Sequence, residues 1–383
     1  MMIRWLAPLR SLVLSAGMLL WVVLPGAAGP AGAEDGEEPG RPPEPDLATK
    51  IERLLDARTA AVRVGLHEAI ATEIERHERR MALAPAAREA ADRTLRELAT
   101  RATAEGALID GRTGEIRTMR EAVDRIESAR MIYVAENHDN PAHHEIQLRV
   151  IRAAFRSNPK LLIGMEMFER GAQKHLDDYT QGRIDESTFL ERIDWKKSWG
   201  FDYALYQPIL DFARQMKLKV VGLNAPRGIV RKVGKDGLAA LVEEDRKQIA
   251  RDIDTQDPGH RRQFMKVLDM HGTGGGHAPN PEHYYEAMCV WDETMAETAA
   301  RYMRAPKNSG ASMVVLAGSG HIAYRFGIPA RVQRRLHLPD LTVIPLALPA
   351  DQPEGTVEEA LLRPPGDFVV LTKDVDRTHP RDR

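Results

Sequence analysis

The stretch that decides the fold is IYVAENHDNPAHHE, residues 132–145, in which an apolar run gives way abruptly to polar groups. Its first part belongs to MIYVA (131–135), which is apolar throughout rather than at alternate positions. Continuous apolar character is typical of a strand covered on both faces of a parallel sheet. An acid, an amide and three histidines follow at once, so this strand is predicted to end in a group of potential ligands or proton carriers.

The rest of the chain repeats the pattern of short apolar runs. The further runs are LLIGM (161–165), LKVVGLN (218–224), MVVLAG (313–318), LTVIPLAL (341–348) and FVVLT (368–372). The first four runs of the whole series are each followed, directly or after a loop, by a helical pattern. This alternation predicts an α/β domain over residues 107–383, with a mostly parallel sheet flanked by helices.

The N-terminus has the composition of an export signal. Arg4 and Arg10 precede an apolar segment (12–24) and then small residues, which predicts a secretory signal over residues 1–33. The apolar segment is shorter than the roughly 20 residues of a membrane span, and a retained anchor is the alternative. Cys289 is the single cysteine, so no lipid-attachment cysteine lies near the expected cleavage site. We expect export to a periplasm or cell envelope without stable membrane insertion.

Two further segments precede the α/β domain. Residues 34–46 are acidic and proline-rich, which predicts a disordered linker. Residues 47–103 carry apolar side chains at helical spacing with a break at Pro85, which predicts a helical hairpin. Such a hairpin is either a scaffold pair packed on the domain or an arm for docking or dimerisation. The formal net charge of −2 and the absence of basic blocks argue against nucleic-acid binding.

Polar side chains follow four of the predicted strands at the point where each strand ends. They are Glu136, Asn137 and His138 after the first, Glu166 after the second, Asn224 and Arg227 after the third, and His321 after the fourth. Because the carboxyl ends of parallel strands share one edge of a sheet, we expect these groups to face a common pocket. Convergence of polar groups in one cleft is the usual mark of a binding or catalytic site.

The helix after the first strand is predicted to begin at the edge of this pocket. Asn140 is placed as its N-cap and Pro141 as its first residue, so His143 and His144 fall in the first turn. The helix dipole disfavours imidazolium there, which favours neutral histidines that can bind a metal or accept a proton. We expect one of these two histidines to reach the pocket and the other to lie on the surface.

Glu136, His138, Glu166 and His321, named the strand-end cluster below, suit two kinds of chemistry. Two carboxylates and two imidazoles, with His144 as a further ligand, are a donor set for a divalent metal such as manganese, iron or zinc. The same four groups also suit metal-free acid–base catalysis, in which a carboxylate holds a histidine in one tautomer. Neither HExxH nor GxSxG occurs in the sequence.

Six blocks of sequence carry a resemblance to a known family. They are AENHDNPAHHEIQ (135–147), GMEMFERGAQKHLDDY (164–179), WGFDYALYQPILDFAR (199–214), GLNAPRGIVRKV (222–233), YYEAMCVWDETMAE (284–297) and AGSGHIAYRFGIPARV (317–332). In this order they resemble the ChaN-like haem-binding uptake family, which shares a superfamily with the Tiki proteins and erythromycin-esterase-like enzymes. The resemblance covers residues 107–350.

The resemblance implies an α/β fold, export to the bacterial envelope, often as a lipoprotein, and haem binding in a dimer with tyrosine ligation. The Tiki relatives imply instead a metal-dependent protease whose site would map onto His138, Glu166 and His321. This chain departs from the family by Ala135, where glycine is usual, and by the missing lipid-attachment cysteine.

Haem needs apolar walls and an axial ligand, and several residues are candidates for these roles. Candidate iron ligands are Tyr203, Tyr206, Tyr284 and Tyr285; candidate propionate partners are Arg170 and Arg227; candidate walls are Trp195, Trp199, Arg170 and Gln173. Asn224 is a further candidate for cofactor binding. A mobile flap over residues 264–291, with a flexible Gly274 to Gly276 and with His271, His277 and His283, is expected to cover the crevice. Two hypotheses remain open. The first is an exported haem or iron-porphyrin binding protein, which the family resemblance implies to be a homodimer. The second is a divalent-metal-dependent hydrolase that uses the strand-end cluster.

Overall fold

All six predicted apolar runs form strands, and together they make the parallel part of one sheet. The structure, a computed structural model, describes residues 108–270, 280–349 and 353–375 and a few helical positions between 93 and 100. The described residues fold as an eight-stranded sheet with helices on both faces. The predicted α/β class with a mostly parallel sheet is therefore confirmed.

The strands are β1 (Leu108–Asp110), β2 (Ile116–Arg117), β3 (Met131–Glu136), β4 (Leu161–Glu169), β5 (Lys219–Asn224), β6 (Ser312–Gly318), β7 (Asp340–Leu348) and β8 (Phe368–Lys373). Their order across the sheet is β2-β1-β8-β7-β3-β6-β4-β5. Strands β3 to β8 pair in parallel, whereas β1 is antiparallel to both β2 and β8. This short antiparallel edge was not predicted from the sequence.

The helices are α1 (Met119–Ser128), α2 (Pro141–Ser157), α3 (Gln173–Thr180), α4 (Glu186–Ile193), α5 (Trp195–Ser198), α6 (Gln207–Gln215), α7 (Arg227–Asp236), α8 (Glu243–Arg246), α9 (Pro258–Met270), α10 (Pro281–Arg304), α11 (Ser319–Ile322), α12 (Ile328–Leu336) and α13 (Pro353–Leu362). Short 3-10 turns lie between several of them. Across the described ranges, no helix combines the length and the apolar character needed to cross a bilayer.

Burial on both faces explains why the central strands are apolar throughout. In β3, Ile132 and Val134 pack into the layer formed with α2 and α6. Tyr133 and Ala135 point the other way, into the layer formed with α7, α10 and α12. Alternate residues of a strand face opposite sides of the sheet, so a strand between two helical layers needs apolar residues at every position.

The order of the strands in the sheet determines where the site lies. β3 lies between β7 and β6, and β6 lies between β3 and β4, so the carboxyl ends of β3, β6 and β4 are neighbours. The register of β3 and β6 pairs Glu136 with Gly318. Residues that are far apart in the chain therefore meet at one edge of the sheet.

Several predictions fall on residues outside the described ranges. These are the signal over 1–33, the linker over 34–46, almost all of the hairpin over 47–103, and the middle of the flap, residues 271–279. The described ends of the predicted flap belong to α9 and α10.

Candidate functional site

The end of β3 is organised around the fully buried carboxylate of Glu136. Its Oε1 lies 2.5 Å from His138 Nδ1 and accepts a hydrogen bond from the Tyr206 hydroxyl at 2.9 Å. Its Oε2 accepts from Gln147 Nε2 at 2.7 Å. Burial alone would raise the pKa of Glu136, but the neighbouring imidazoles and these donors outweigh burial and lower it to about 2.

His138 stands between two carboxylates and an aromatic wall. Burial tends to lower its pKa, but its hydrogen bond to Glu136 and the charges of Glu136 and Glu166 raise the pKa on balance. Its ring packs edge-on against Trp199, with centroids 4.9 Å apart, and lies 5.1 Å from the ring of Phe201. The imidazole is therefore fixed in orientation by packing as well as by hydrogen bonding.

Glu166 and His321 form the other half of the strand-end cluster. Glu166 lies within β4, which continues to Glu169 instead of ending at residue 165 as predicted. Its Oε2 accepts the backbone N–H of Gly318 at 2.7 Å, and its Oε1 lies 3.3 Å from His321 Nε2. Burial opposes protonation of His321, but its carboxylate neighbours raise its pKa to about 10.

A glycine lets the two halves approach each other. A methyl group at Gly318 would lie 3.0 Å from His138 Nε2 and 3.6 Å from Glu166 Oε2. His138 and Glu166 also interact electrostatically, as do His138 and His321. The structure therefore brings together all four members of the strand-end cluster, which the sequence placed at the ends of three different strands.

The two histidines at the start of α2 are both buried, so the prediction that one lies on the surface is wrong. Asn140 caps the helix as predicted, its Oδ1 accepting the N–H of Ala142 at 3.0 Å. His143 Nδ1 accepts the N–H of Asn137 at 2.8 Å, and burial lowers its pKa to about 3. The predicted neutral form of His143 is confirmed, with burial as its main cause.

His144 is the histidine that reaches the strand-end cluster. Its Nδ1 lies 3.3 Å from Glu136 Oε2, and its Nε2 lies 3.2 Å from the carbonyl oxygen of His138. Its ring packs against Tyr206, with centroids 4.5 Å apart. The first turn of α2 therefore supports the end of β3 from one side.

An acid that was not predicted from the sequence lies behind the cluster. Asp292, in α10, is fully buried, and its Oδ1 lies 2.7 Å from His321 Nδ1. The signal for it was present in AMCVWDETMAE, where an acid interrupts a long run of apolar residues. Gln147 and Tyr206, which donate to Glu136, were likewise not assigned to the cluster from sequence.

Two predicted haem-site residues lie at the same edge of the sheet. Asn224 ends β5 and donates from Nδ2 to the carbonyl oxygen of Glu166 at 2.9 Å. Arg227 begins α7 and donates to the carbonyl oxygens of Lys197 and Ser198, just before Trp199. Both side chains thus brace the loops around the site. Burial lowers the pKa of Arg227 somewhat.

Other predicted residues have their contacts elsewhere. Arg170 donates to Thr298 Oγ1 at 2.8 Å and pairs with Glu297 at 3.0 Å. Gln173 bonds the backbone of β5, Trp195 Nε1 donates to the Phe201 carbonyl, and His283 Nδ1 lies 3.1 Å from the Lys235 carbonyl. None of these contacts joins the strand-end cluster.

The four candidate tyrosines also differ in whether they contact the strand-end cluster. Tyr203 donates weakly to Glu186 at 3.4 Å, Tyr285 donates to the Asp257 carbonyl at 3.2 Å, and Tyr284 is buried in the α10 layer. Tyr206 is the tyrosine whose hydroxyl contacts the cluster. Burial raises the pKa of every one of these four phenols.

The cluster is made of direct acid–imidazole pairs. Within the described ranges, no group of three or more histidine, cysteine or acidic side chains is arranged to hold a metal ion. His138 and His321 each direct Nδ1 at a carboxylate, at 2.5 and 2.7 Å. A carboxylate on Nδ1 fixes the tautomer and leaves Nε2 for proton transfer or ligand binding.

Fold and site together define an α/β protein with a buried acid–imidazole cluster at the carboxyl edge of a parallel sheet. A family model described as "Haem-binding uptake, Tiki superfamily, ChaN" matches residues 122–332, more than half of the chain. The chain therefore belongs to the ChaN family of the Tiki superfamily, and the resemblance seen in the sequence is confirmed.

Two solved structures were compared with this chain. ChaN of Campylobacter jejuni, solved with cofacial haem, is 18% identical, with a TM-score of 0.53 over 69% of this chain and 95% of that one. A mutant of the erythromycin esterase EreC is 13% identical, with a TM-score of 0.37 over 63% of this chain and 76% of that one. At these identities the likeness to ChaN supports the fold alone.

One curated relative is similar in sequence. RETICULATA-RELATED 5, a chloroplastic protein of Arabidopsis thaliana, is 22% identical over 227 residues, which are 56% of this chain. The match spans only 30% of the length of that relative.

Proposed function

We propose that this chain is a haem-binding protein whose ligand binds at the carboxyl edge of the sheet. The observation that carries the proposal is the family match, which runs from residue 122 to residue 332 and so includes the whole strand-end cluster. The related ChaN of Campylobacter jejuni is described as binding haem cofacially. The two proteins share the fold in which such a crevice forms.

Aromatic rings around the cluster support a flat, largely apolar ligand. Trp199 and Phe201 pack against His138, and the ring of Trp291 lies 6.0 Å from that of His321. The indole N–H of Trp199 is buried without a hydrogen bond of ordinary geometry to any described residue. Apolar walls with a few placed polar groups are typical of sites for cofactor-sized molecules.

Tyrosine ligation of the haem iron is part of the proposal, and the structure favours Tyr206 over the other candidates. Its hydroxyl contacts the strand-end cluster, whereas Tyr203, Tyr284 and Tyr285 contact other parts of the fold. Tyr206 also donates to Glu136, so ligation requires that hydrogen bond to be given up. Arg227, beside Trp199, is the proposed partner for a propionate.

The test is a haemin titration of the full chain, followed by the Soret band. We expect saturable binding. Tyr206→Phe should shift the Soret band of the complex. Tyr203→Phe and Tyr285→Phe, which change tyrosines that do not contact the cluster, should leave the band position unchanged. His138→Ala should leave the iron-ligation spectrum as in the wild type. A Soret change that never saturates would contradict haem binding, and an unchanged Tyr206→Phe spectrum would contradict this ligand.

A second candidate function, acid–base hydrolysis, is favoured by one observation. The strand-end cluster is a buried network of carboxylates and imidazoles, which an apolar macrocycle does not require. Glu166 would take a proton from water and His321 would donate one to the departing oxygen. Hydrolysis of ethyl acetate, whose alcohol oxygen must be protonated as it departs, is expected in the wild type and should be lost in Glu166→Gln and His321→Gln; equal rates in all three proteins would contradict it.

The metal-dependent form of this function has a separate test. Metal analysis of the purified chain would favour it if manganese, iron or zinc is bound and is lost in both Glu166→Ala and His321→Ala. Protein without stoichiometric metal that still hydrolyses the ester would favour the metal-free form.

Export and dimerisation complete the proposal. We propose that the first 33 residues direct the chain to the cell envelope, which fractionation with and without Arg4→Asp/Arg10→Asp would test. We also propose that haem is held by a dimer, so sedimentation should show a heavier species when haemin is added. A haem-loaded monomer would contradict the second proposal.

A further inference from the structure

Behind His321 lies a second group of buried charged and polar side chains. Asp292, His260 and Arg331 come from α10, α9 and α12, and all three are at most 3% exposed. With His321 in α11, four helices contribute to one network. None of the three was identified from the sequence.

The contacts form a continuous chain that leads away from the site. Asp292 Oδ1 lies 2.7 Å from His321 Nδ1, and Asp292 Oδ2 lies 3.2 Å from His260 Nε2. Arg331 Nη2 lies 3.1 Å from His260 Nδ1. Because an arginine only donates, His260 Nδ1 must accept, which leaves the His260 proton on Nε2, facing Asp292.

This series of contacts keeps Asp292 ionised although its side chain is fully buried. Burial would raise the pKa of Asp292, but His321, His260 and Arg331 hold it below its ordinary range. An ionised Asp292 accepts the Nδ1 proton of His321. The Nε2–H of His321 is then directed at Glu166, 3.3 Å away.

A role in packing alone does not account for this arrangement. Burying charges is unfavourable, and apolar residues of similar volume often stabilise a fold as well as a buried ion pair does. The same contact occurs twice in the site: a Glu136 carboxylate oxygen lies against Nδ1 of His138, and an Asp292 carboxylate oxygen lies against Nδ1 of His321. The duplication indicates that the orientation of the two rings matters at the site.

We propose that Asp292, supported by His260 and Arg331, is the positioning residue that holds His321 with its Nε2–H directed into the site. This inference rests on the acid–base function proposed above, with a carboxylic ester as the substrate class. Water loses a proton to Glu166 and attacks the ester carbonyl, and His321 Nε2 gives its proton to the alcohol oxygen as the C–O bond breaks. The proton on Glu166 then passes to His321 Nε2, which restores both groups.

The first test observes the His321 ring directly. In ¹⁵N-labelled full chain at pH 8, the His321 signals, identified by their loss in His321→Gln, should show both nitrogens protonated. Asp292→Asn should lower the pKa of His321 by about 1 to 3, because an opposite charge in contact is removed, and Asp292→Glu should restore it in part. A wild-type-like pKa, from titration of the His321 signals in folded Asp292→Asn, would overturn the proposal.

A matched control separates this effect from general loss of a buried acid. Asp178, in α3, is also buried and pairs with Lys174 and Arg183 at 2.7 and 2.8 Å, but none of these contacts involves the cluster. Asp178→Asn should leave the His321 signals unchanged. If Asp292→Asn does not fold, Arg331→Lys and His260→Gln, which retain Asp292, should shift the same signals in the same direction; signals unchanged in both would overturn the proposal.

The second test uses hydrolysis of ethyl acetate, followed by the acid released, because its alcohol oxygen must be protonated as it departs. Asp292→Asn should lower kcat by about 100-fold with little change in KM, because proton transfer is impaired while binding is not. The alkaline limb of its pH profile should move to lower pH. If the wild type shows no hydrolysis, the acid–base function fails, whereas the ring signals still decide whether Asp292 positions His321.

Discussion

At the residue scale, one carboxylate gathers several donors. Glu136 receives hydrogen bonds from Tyr206 and Gln147 and contacts His138 at 2.5 Å, all in a buried setting. Glu136→Gln should lower the free energy of unfolding by about 3 to 5 kcal/mol, because it leaves a buried imidazole without its ionic partner. Urea unfolding followed by circular dichroism measures this loss.

The control for this change lies on the following helix. Glu145 is exposed and pairs with Arg149 at 3.8 Å across one turn of α2. Glu145→Gln should cost less than about 0.5 kcal/mol, as exposed pairs contribute little. Equal losses in the two variants would contradict the importance assigned to the buried carboxylate.

The protonation of His321 predicts how stability depends on pH. Its pKa is raised from the ordinary 6.5 to about 10, so folding favours the protonated ring. The resulting stabilisation is fully present below pH 6.5 and is lost as the pH rises through about 10. The difference in urea midpoint between the wild type and His321→Gln should therefore shrink from pH 6 to pH 10.5. A difference that stays constant over this range would show that the ring does not titrate as described.

The members of the strand-end cluster were predictable from the sequence, whereas the side chains that contact and orient them were not. Glu136, His138, Glu166 and His321 each end, or lie near the end of, a recognisable apolar run. Asp292 interrupts an apolar run in the middle of a helix, but that pattern does not show which side chain the acid contacts. The burial of His143 depends on Thr372 of β8, whose hydroxyl lies 3.0 Å from its Nε2.

At the scale of elements, the turn from β6 into α11 controls the spacing of the site. Gly318 lies at the end of β6 opposite Glu136, and a methyl group there would come within 3.0 Å of the His138 ring. Gly318→Ala should destabilise the fold by about 1 to 3 kcal/mol and displace the His138 ring. Unfolding and the histidine ring signals measure both effects.

Gly320, two residues further on, provides the matched control. A methyl group at this position would meet only the end of Met288, at an ordinary 3.6 Å. Gly320→Ala should therefore leave both stability and the His138 signals close to those of the wild type. If the two alanine variants behave alike, close approach at Gly318 is not what sets the geometry.

Strand prediction succeeded where the element is buried on both faces and failed where it is short. β3 to β8 carry runs of four or more apolar residues or glycine because helices cover both sides of the sheet. β1 and β2 have three and two residues, too few to show any pattern. Their pairing is set by contact with β8, which lies far away in the sequence.

At the scale of the whole molecule, the sheet brings separate parts of the chain to one edge. Parallel pairing of β3, β6 and β4 places Glu136, Gly318 and Glu166 side by side although they span most of the matched family region. Sequence order predicts this convergence once the strands are taken as parallel. The contributions of α9, α10 and α12 depend on tertiary packing, which no local pattern records.

The central claim is that haem binds at this edge, and comparing haemin affinity in two aromatic variants tests it most directly. Trp199 packs on His138 at the carboxyl edge, whereas Tyr302 lies near Lys219, at the opposite end of β5. Loss of a buried aromatic anchor costs about 2 kcal/mol, so Trp199→Ala should weaken haemin binding at least about tenfold. Tyr302→Ala should bind haemin as the wild type does. Unchanged affinity in Trp199→Ala, or an equal loss in both variants, would contradict binding at the carboxyl edge.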